Sequence, residues 1–464
     1  MNREATNQSD SLYRPPAPTP MSPIASLLRT IASGQQDLLS LLPADAYRKP
    51  ITPLGFSRRS ILLVNDPSAS GEVFADADGI FPKNDLMVGA LEPLVGNSMF
   101  VSSGEIWRRQ RRMIDPAFSH MRINRAFDVM VAAVDDYEAH LDALATEGGR
   151  LSLDAAMSHL TADIVCRTIF SKSLASHTAR EVFDNFLIFE RSVANVEIRR
   201  LIFGRPFEQV EQPAAVLAAC AQIRKHIGDL IDPRLGAGAP QIDDIAGAVI
   251  AAQDPVTGLK FTREELIDQI GVFFLAGHET TASALTWVFF ILSMRPEIAD
   301  RMRAEIERTV GDGPVEFEHA KRLVFVRNVF RETLRLYPPI TFIPRVATAD
   351  TTIGGHRIKR GAMVMLAPWA THRNAIYWPN ADRFDPDRFT PENEAQLVPG
   401  TYMPFGLGQR ICVGAAFATF ESCLILARLV RRYDFEALEP SKVRPVARLT
   451  TRPAKEIMVR VRRR

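Results

Sequence analysis

Residues 262–294 read TREELIDQIGVFFLAGHETTASALTWVFFILSM. Thr262 followed by Glu265 has the spacing of a capping box, in which hydroxyl and carboxylate satisfy backbone donors at a helix start ahead of an apolar run. Helical character continues to Met294 and stops before Arg295–Pro296, because a residue preceding proline is pushed out of the α region. The run exceeds thirty residues, against about 10–14 for an average globular helix. A helix this long and this apolar on all sides must run through the middle of a large body. It is not a membrane span, since His278, Glu279, Thr280 and Thr281 interrupt the roughly 20 mostly apolar residues that a span needs.

Outward from this helix the chain reads as mainly α with a small β portion. Residues 1–23 are polar and proline-rich and are expected to form a disordered or extended arm. Strand-like runs follow at 51–56 and 60–64, and 80–104 reads as a long irregular loop rich in Gly, Pro, Asn and Ser. From Glu105 to about 232 apolar residues recur at helical spacing, as in Leu151 to Phe170 and Val182 to Phe203, and 235–241 (LGAGAPQ) reads as a hinge. A second helix opens at Pro296 and a third spans about 319–336, ending before Pro338–Pro339. TTIGG (351–355) turns between strands, AMVML (362–366) follows, 370–411 is loop-rich, and helix resumes near Val413. No boundary divides residues 24–464.

Composition narrows the function. Lys plus Arg total 56 against 54 Asp plus Glu in 464 residues, a net charge of +2, too balanced for a nucleic-acid binder working by bulk charge. Four cysteines (Cys166, Cys220, Cys412, Cys423) are too few for a disulfide scaffold and show no C-x-x-C spacing for zinc. With no apolar leader, a soluble cytoplasmic protein with reduced thiols is expected.

The chemistry concentrates in FGLGQRICVG, Phe405 to Gly414. Gly406 and Gly408 let backbone approach a bulky planar ligand, Arg410 can neutralise an acidic group on it, and Gly414 permits close packing where a helix begins. Alone, a cysteine beside a glycine turn is most often buried and inert. The pattern F-x-x-G-x-R-x-C-x-G is far more specific, and it resembles the cysteine-ligand loop of the cytochrome P450 family, the haem-thiolate monooxygenases, in their bacterial-type soluble form. Three further motifs fit the family's order. AGHETT (276–281) puts an acid and an alcohol inside an apolar helix, where a polar pair must be hydrogen-bonded or functional. Glu332-x-x-Arg335, unremarkable by itself, precedes D-x-F-x-P-x-R-F at 382–389. WRRQR (107–111) places Trp107 and Arg111 on one helical face.

The resemblance covers roughly residues 50–464 and implies a single-body fold whose long central helix crosses the haem. It makes Cys412 the iron ligand of haem b, which is the thiolate role in that family. Trp107, Arg111, Arg345, Phe405, Arg410, Gly414 and Ala276 would contact the cofactor. Glu279 and Thr280 would relay protons to dioxygen, and Phe273, Phe274, Ile340, Thr341, Phe342 and Ile343 would line the substrate pocket, with the 85–104 segment. Glu332, Arg335 and Arg388 would form a buried structural triad. The implied activity is hydroxylation of an apolar small molecule, such as a fatty acid or terpenoid, by a monomer, with two electrons from a ferredoxin or flavodoxin-type donor and its reductase. A non-catalytic haem sensor and a peroxide-driven peroxygenase are the alternatives, and the Glu279–Thr280 pair favours the monooxygenase. Arg108, Arg109 and Arg112 show no internal partner in the sequence and are expected to form the basic docking patch for that donor.

Overall fold

The computed structural model describes residues 13–22, 24–26, 28–29, 37–54, 60–76, 79–146, 148–193, 204–207 and 211–464. Helix α1 spans Asp85–Val95, α2 Gly104–Ile114, α3 His120–Thr146, α4 Leu153–Phe170, α5 His177–Val193, α6 Ala214–Ile231, α7 Arg263–Met294, α8 Pro296–Val310, α9 Val324–Leu336 and α10 Ala415–Arg432. The architecture is mainly helical with small sheets, as the sequence predicts.

Helix α7 is the 32-residue axis of the body. Its capping box is formed: the Glu265 amide donates to the Thr262 hydroxyl at 3.2 Å, and the Thr262 amide donates to the Glu265 carboxylate at 2.8 Å. Side chains from Leu266 to Leu292 are almost all buried, the signature of a helix packed on every side. Helix α4 packs along it more extensively than any other element. Their approach depends on Gly277, where a Cβ would stand 3.0 Å from the Val165 side chain, and Thr161 donates across the seam to the His278 carbonyl at 3.0 Å.

The strands are peripheral. β1 (Ile51–Leu54), β2 (Ile61–Val64), β4 (Ile343–Val346) and β7 (Met363–Leu366) form one sheet in the order β1-β2-β7-β4, with β2 parallel to β7. β3 (Arg150–Ser152), β11 (Met458–Arg463) and β8 (Tyr433–Ala437) form a second. β5 (Thr351–Ile353) and β6 (His356–Ile358) form the hairpin predicted at Gly354–Gly355. β9 (Pro445–Ala447) and β10 (Thr451–Pro453) pair antiparallel. The Thr451 carbonyl accepts from Ser283 and from the Trp287 indole of α7, at 2.7 and 2.8 Å, which pins this last hairpin beside the centre of α7.

Two expectations are corrected. The 80–104 segment is not an irregular loop, because it contains α1. Asn84 caps that helix through the Leu86 amide. Pro93 lies inside it and cannot donate to the Gly89 carbonyl, a loss that normally breaks a helix, but the Gln212 side-chain amide donates to that carbonyl at 3.2 Å. The third helix is not continuous either. It divides into Phe317–Arg322 and α9, because the Glu305 carboxylate takes the Phe325 and Val326 amides and so caps a new helix start. Residues 13–20 of the N-terminal arm are extended and lie on the body, with Tyr337 donating to the Pro16 carbonyl. The remainder of that arm through residue 12, residue 23, residues 55–56 of the first strand-like run and 194–203 of the helical stretch lie outside the described residues.

Glu332 and Arg335 are fully buried and form a bidentate pair at 2.7 and 2.8 Å. The Arg388 guanidinium stands 3.3 Å from Glu332, and the Asp385 amide donates to the same carboxylate. Arg335 spends its remaining donors on the carbonyls of His372, Ala381 and Arg383. His372 hydrogen-bonds the Arg335 carbonyl through Nδ1 and accepts the Met403 amide at Nε2. Burial, then the charge of Arg335, lowers its imidazole to about 3, so it is neutral and can accept. The ion pair thereby reaches the segment that runs into the cysteine loop. Replacing Arg335 with Ala leaves the buried Glu332 carboxylate with only Arg388, at 3.3 Å, and the Asp385 amide, and the expected cost is about 3–5 kcal/mol. A denaturant midpoint within error of the unmodified protein's would show that the network does not carry the fold.

Candidate active site

A cavity of about 780 Å³ lies between α7, the loop before α10, α1 and β4. Phe405, Gly406, Arg410, Cys412, Val413 and Gly414 line one wall, and Ala276, Gly277, Glu279 and Thr280 line another. Cys412 is held by its amide, which donates to the Phe405 carbonyl at 2.9 Å, and its sulfur opens onto the cavity. Burial raises the thiol, while the Gly414 amide and the charge of Arg111 act to lower it. Gly408 has φ +67°, and a Cβ there would stand 3.0 Å from the Phe74 carbonyl, so the turn is closed to other residues for two reasons.

The cations at the cavity edge are unevenly served. Arg410 stacks over the Trp107 ring at 4.4 Å and donates to the Ser102 carbonyl, and its Nη1 is buried with no hydrogen-bond partner among the described residues. Arg111 donates to the Ile411 carbonyl at 2.6 Å and pairs with Asp115. Arg345 is buried, and among the described residues its side chain makes one hydrogen bond, to the Pro344 carbonyl. Burial, then Arg410, pushes Arg345 down to about 10, and burial, opposed by Asp76, brings Arg410 to about 10. Lys83, which the sequence did not single out, is paired by backbone with Arg345, and its ammonium lies 4.8 Å from the Phe100 ring centre. Burial, then Arg345 and Arg410, holds it well below the ordinary lysine range. Arg345 is buried and Lys83 and Arg410 are half-buried, and basic groups that repel one another in such a place are tolerable when an anionic ligand joins them. The orphaned Arg410 nitrogen, the cationic edge and the cavity-facing cysteine fit a planar metal macrocycle carrying carboxylates.

Opposite the cysteine, the Thr280 hydroxyl donates back to the Ala276 carbonyl at 2.6 Å, as a mid-helix threonine does. Glu279 accepts from Thr450 at 2.5 Å and from Arg452 through Nε at 2.8 Å and through Nη2. Arg452 also pairs with Asp154 at 2.6 Å. Burial raises Glu279, and Arg452 opposes that rise. His278 is fully buried. Its Nδ1 contacts the Phe274 carbonyl at 2.9 Å, and its Nε2 stands 3.4 Å from Glu190. Burial works to lower the imidazole, but Glu190 outweighs it and the net direction is up.

Phe273, Ile340, Thr341, Phe342 and Ile343 line the cavity, together with Leu86, Met87 and Phe100 of the 85–104 segment. Phe274 does not. Neighbouring helix positions are about 100° apart, and its ring packs on Phe186 of α5 and on His278, at 5.2 and 5.1 Å. The basic patch is corrected as well. Arg108 pairs with Glu105, Arg109 with Glu265 and Arg112 with the buried Asp254, at 2.8, 2.6 and 3.1 Å. Reversing Arg109 or Arg112 would therefore break ion pairs to α7 or to the segment before it, rather than test a free charged surface. Sequence reading also missed Arg452 and Glu190, since an isolated arginine or glutamate carries no signal until the fold supplies its partner.

With Arg452 changed to Met, Glu279 loses its cation and keeps Thr450, with the Glu190 carboxyl beside it, and stability at neutral pH should fall by about 3–5 kcal/mol. A carboxyl raised by folding is stabilised by its proton. The deficit should shrink as pH drops through Glu279's raised value toward the unfolded value of about 4.3. Denaturant midpoints across that range check this, and a deficit independent of pH would exclude Glu279 as its source.

A family model described as "Cytochrome P450" matches residues 15–461. Cyclooctatin synthase of Streptomyces melanosporofaciens is 29% identical over 91% of this chain and 90% of its own. Cyclooctat-9-en-7-ol 5-monooxygenase of the same organism is 33% identical over 77% of this chain and 75% of its own. The crystal structure of the cytochrome P450DA heme domain superposes with a TM-score of 0.79 at 24% identity, over 97% of this chain and 99% of that one. Among the described residues no helix is long and apolar enough to cross a membrane.

Proposed function

This chain belongs to the cytochrome P450 family and is a haem b monooxygenase, and from that premise we propose that Cys412 ligates the iron and that the substrate is an apolar small molecule of the terpenoid or fatty-acid kind. The observation that carries the reading is a cysteine facing an apolar cavity whose rim holds the buried Arg345 and, among the described residues, an unpartnered Arg410 Nη1. Lys83, Arg345 and Arg410, with Arg111 and Trp107, would hold the cofactor's two carboxylates. The haem iron supplies the redox chemistry by which dioxygen, two electrons and two protons yield one inserted oxygen atom and one water.

The rest is the work of side chains. Phe273, Ile340, Phe342 and Ile343, with Leu86 and Met87, exclude water and grip an apolar molecule, the ordinary construction of such a cavity. Thr280 holds a proton at Oγ1, now given to the Ala276 carbonyl, and can turn it toward an acceptor in the cavity. Arg452 and Thr450 fix Glu279 behind it. The relative named for cyclooctat-9-en-7-ol, an unsaturated alcohol, supports a largely apolar substrate. Electrons come from a ferredoxin or flavodoxin-type donor approaching the Cys412 side.

Cys412→Ser should abolish the spectrum that reduced, carbon-monoxide-bound haem gives with a thiolate ligand. An unchanged spectrum would assign the iron to another residue. Thr280→Ala should leave substrate-induced shifts of the haem spectrum nearly intact while product formed per electron drops and peroxide release rises. Unaltered coupling would remove Thr280 from proton delivery.

A further inference from the structure

His278 stands one residue before Glu279 on α7 and is fully buried. Its Nδ1 lies 2.9 Å from the Phe274 carbonyl, and a carbonyl only accepts, so Nδ1 carries the ring proton. Phe183, Phe186 and Phe274 pack on the imidazole, with ring centroids 5.9, 5.0 and 5.1 Å away, which fixes its orientation. The other nitrogen, Nε2, then faces Glu190 Oε1 of α5 across 3.4 Å. Both atoms are buried without a hydrogen-bond partner, and among the described residues no other imidazole nitrogen is in that condition.

Two acceptors that face each other away from water are costly unless something positive lies between them. A shared proton meets that need best at the roughly 2.7–3.2 Å of an N–H···O bond, and the gap here is longer. A tetrahedral zinc ion holds nitrogen and oxygen ligands at about 2.0–2.2 Å, which sets two of them about 3.4 Å apart. Glu279 supplies a third ligand atom, and the three lie within 4.8 Å of one another, the one such grouping of His, Cys, Asp or Glu among the described residues. Its carboxylate has room, because Thr450 and Arg452 place two donors on Oε1 and one on Oε2, against about four lone-pair sites. Charge agrees as well. Three carboxylates, Glu190, Glu279 and Asp154, gather around the single Arg452 guanidinium, and a divalent cation offsets what that guanidinium leaves over.

We propose that Glu190, His278 and Glu279 form a binding site for a divalent ion of the zinc class at the junction of α5 and α7, with a fourth position left to water. Imidazole and carboxylate are ordinary zinc ligands. The Nδ1–H bond to a backbone carbonyl is the arrangement by which metal-binding histidines are oriented. The ion ties α5 to the middle of α7 and holds Glu279 in place beside Thr280. A proton on the imidazole is the rival occupant, and metal binding displaces it. The site is separate from Cys412 and does not depend on the monooxygenase reading.

The test takes the haem-loaded full chain, strips it of zinc with a chelator and titrates it with zinc chloride. One zinc should bind per chain, with affinity lowered roughly tenfold or more in Glu190→Gln and in His278→Leu. The thermal midpoint should rise with zinc in the unmodified protein and stay put in both variants. X-ray absorption at the zinc edge, which does not see haem iron, should show one imidazole with oxygen ligands and no sulfur. Absence of zinc binding at micromolar concentration overturns the site and leaves a proton alone between His278 and Glu190. Binding indifferent to both variants overturns it in favour of surface histidines. Sulfur among the ligands overturns it too, and would mean that zinc had reached Cys412, which counts against the haem reading and not only against this one. If His278→Leu does not fold, Glu190→Gln and the absorption spectrum of the unmodified protein decide.

Discussion

The Glu332–Arg335 ion pair is the constraint on which the cysteine side of the molecule depends. Two opposite charges with no exposure to water are tolerable only when every remaining donor and acceptor is met, and here they are met by backbone. Three carbonyls between His372 and Arg383 accept from Arg335, and the Asp385 amide donates to Glu332. The ion pair thus fixes the path of a loop-rich stretch that has little regular structure to fix itself. His372 carries the constraint to the Met403 amide, two residues short of the cysteine loop. A glycine-rich turn cannot hold one sulfur in place by its own stiffness, and this network supplies the missing rigidity.

The other side of the cavity is held by a different logic. Helix α7 needs no external frame, since it is buried along almost its whole length, and its polar insertion is answered locally, from the C-terminal hairpin and, at His278, by Glu190 of α5. Thr280 turns back on its own helix, while Glu279 is met by Arg452 from the β9–β10 hairpin, which Ser283 and Trp287 pin in place. The cavity is therefore bounded by one wall rigid through packing and one rigid through charge.

This division explains what could be read from the amino acids. The cysteine loop, the acid–alcohol insertion and the long helix are legible because their chemistry is written in contiguous residues at narrow spacing. Glu332 and Arg335 lie three apart, and only their position before the proline pair distinguished them from other copies. Lys83, Arg452 and Glu190 were not legible. Arg452 meets Glu279 across 173 residues of chain, and no local pattern announces such a partner. The helix α1 was hidden for the same reason, because the donor that compensates Pro93 comes from Gln212, 123 residues away. Phe274 is a different kind of miss. Phe273, Ala276, Gly277, Thr280, Thr281 and Ala284 recur at helical spacing and share the cavity wall, so periodicity alone places Phe274 on the other face with His278. Arg108, Arg109 and Arg112 look unpaired along the helix because two of their partners lie beyond it.

His372 gives the frame one more property. A histidine between a charged network and a loop backbone would ordinarily make a junction responsive to acidity, since its free value is about 6.5. Here burial and Arg335 bring it to about 3, and the carbonyl on one nitrogen and the amide on the other suit only the uncharged ring. The joint between the ion pair and the cysteine segment accordingly keeps its geometry from mildly acidic to alkaline solution. His372 itself therefore adds no acid sensitivity near neutral pH to the scaffold that holds the sulfur.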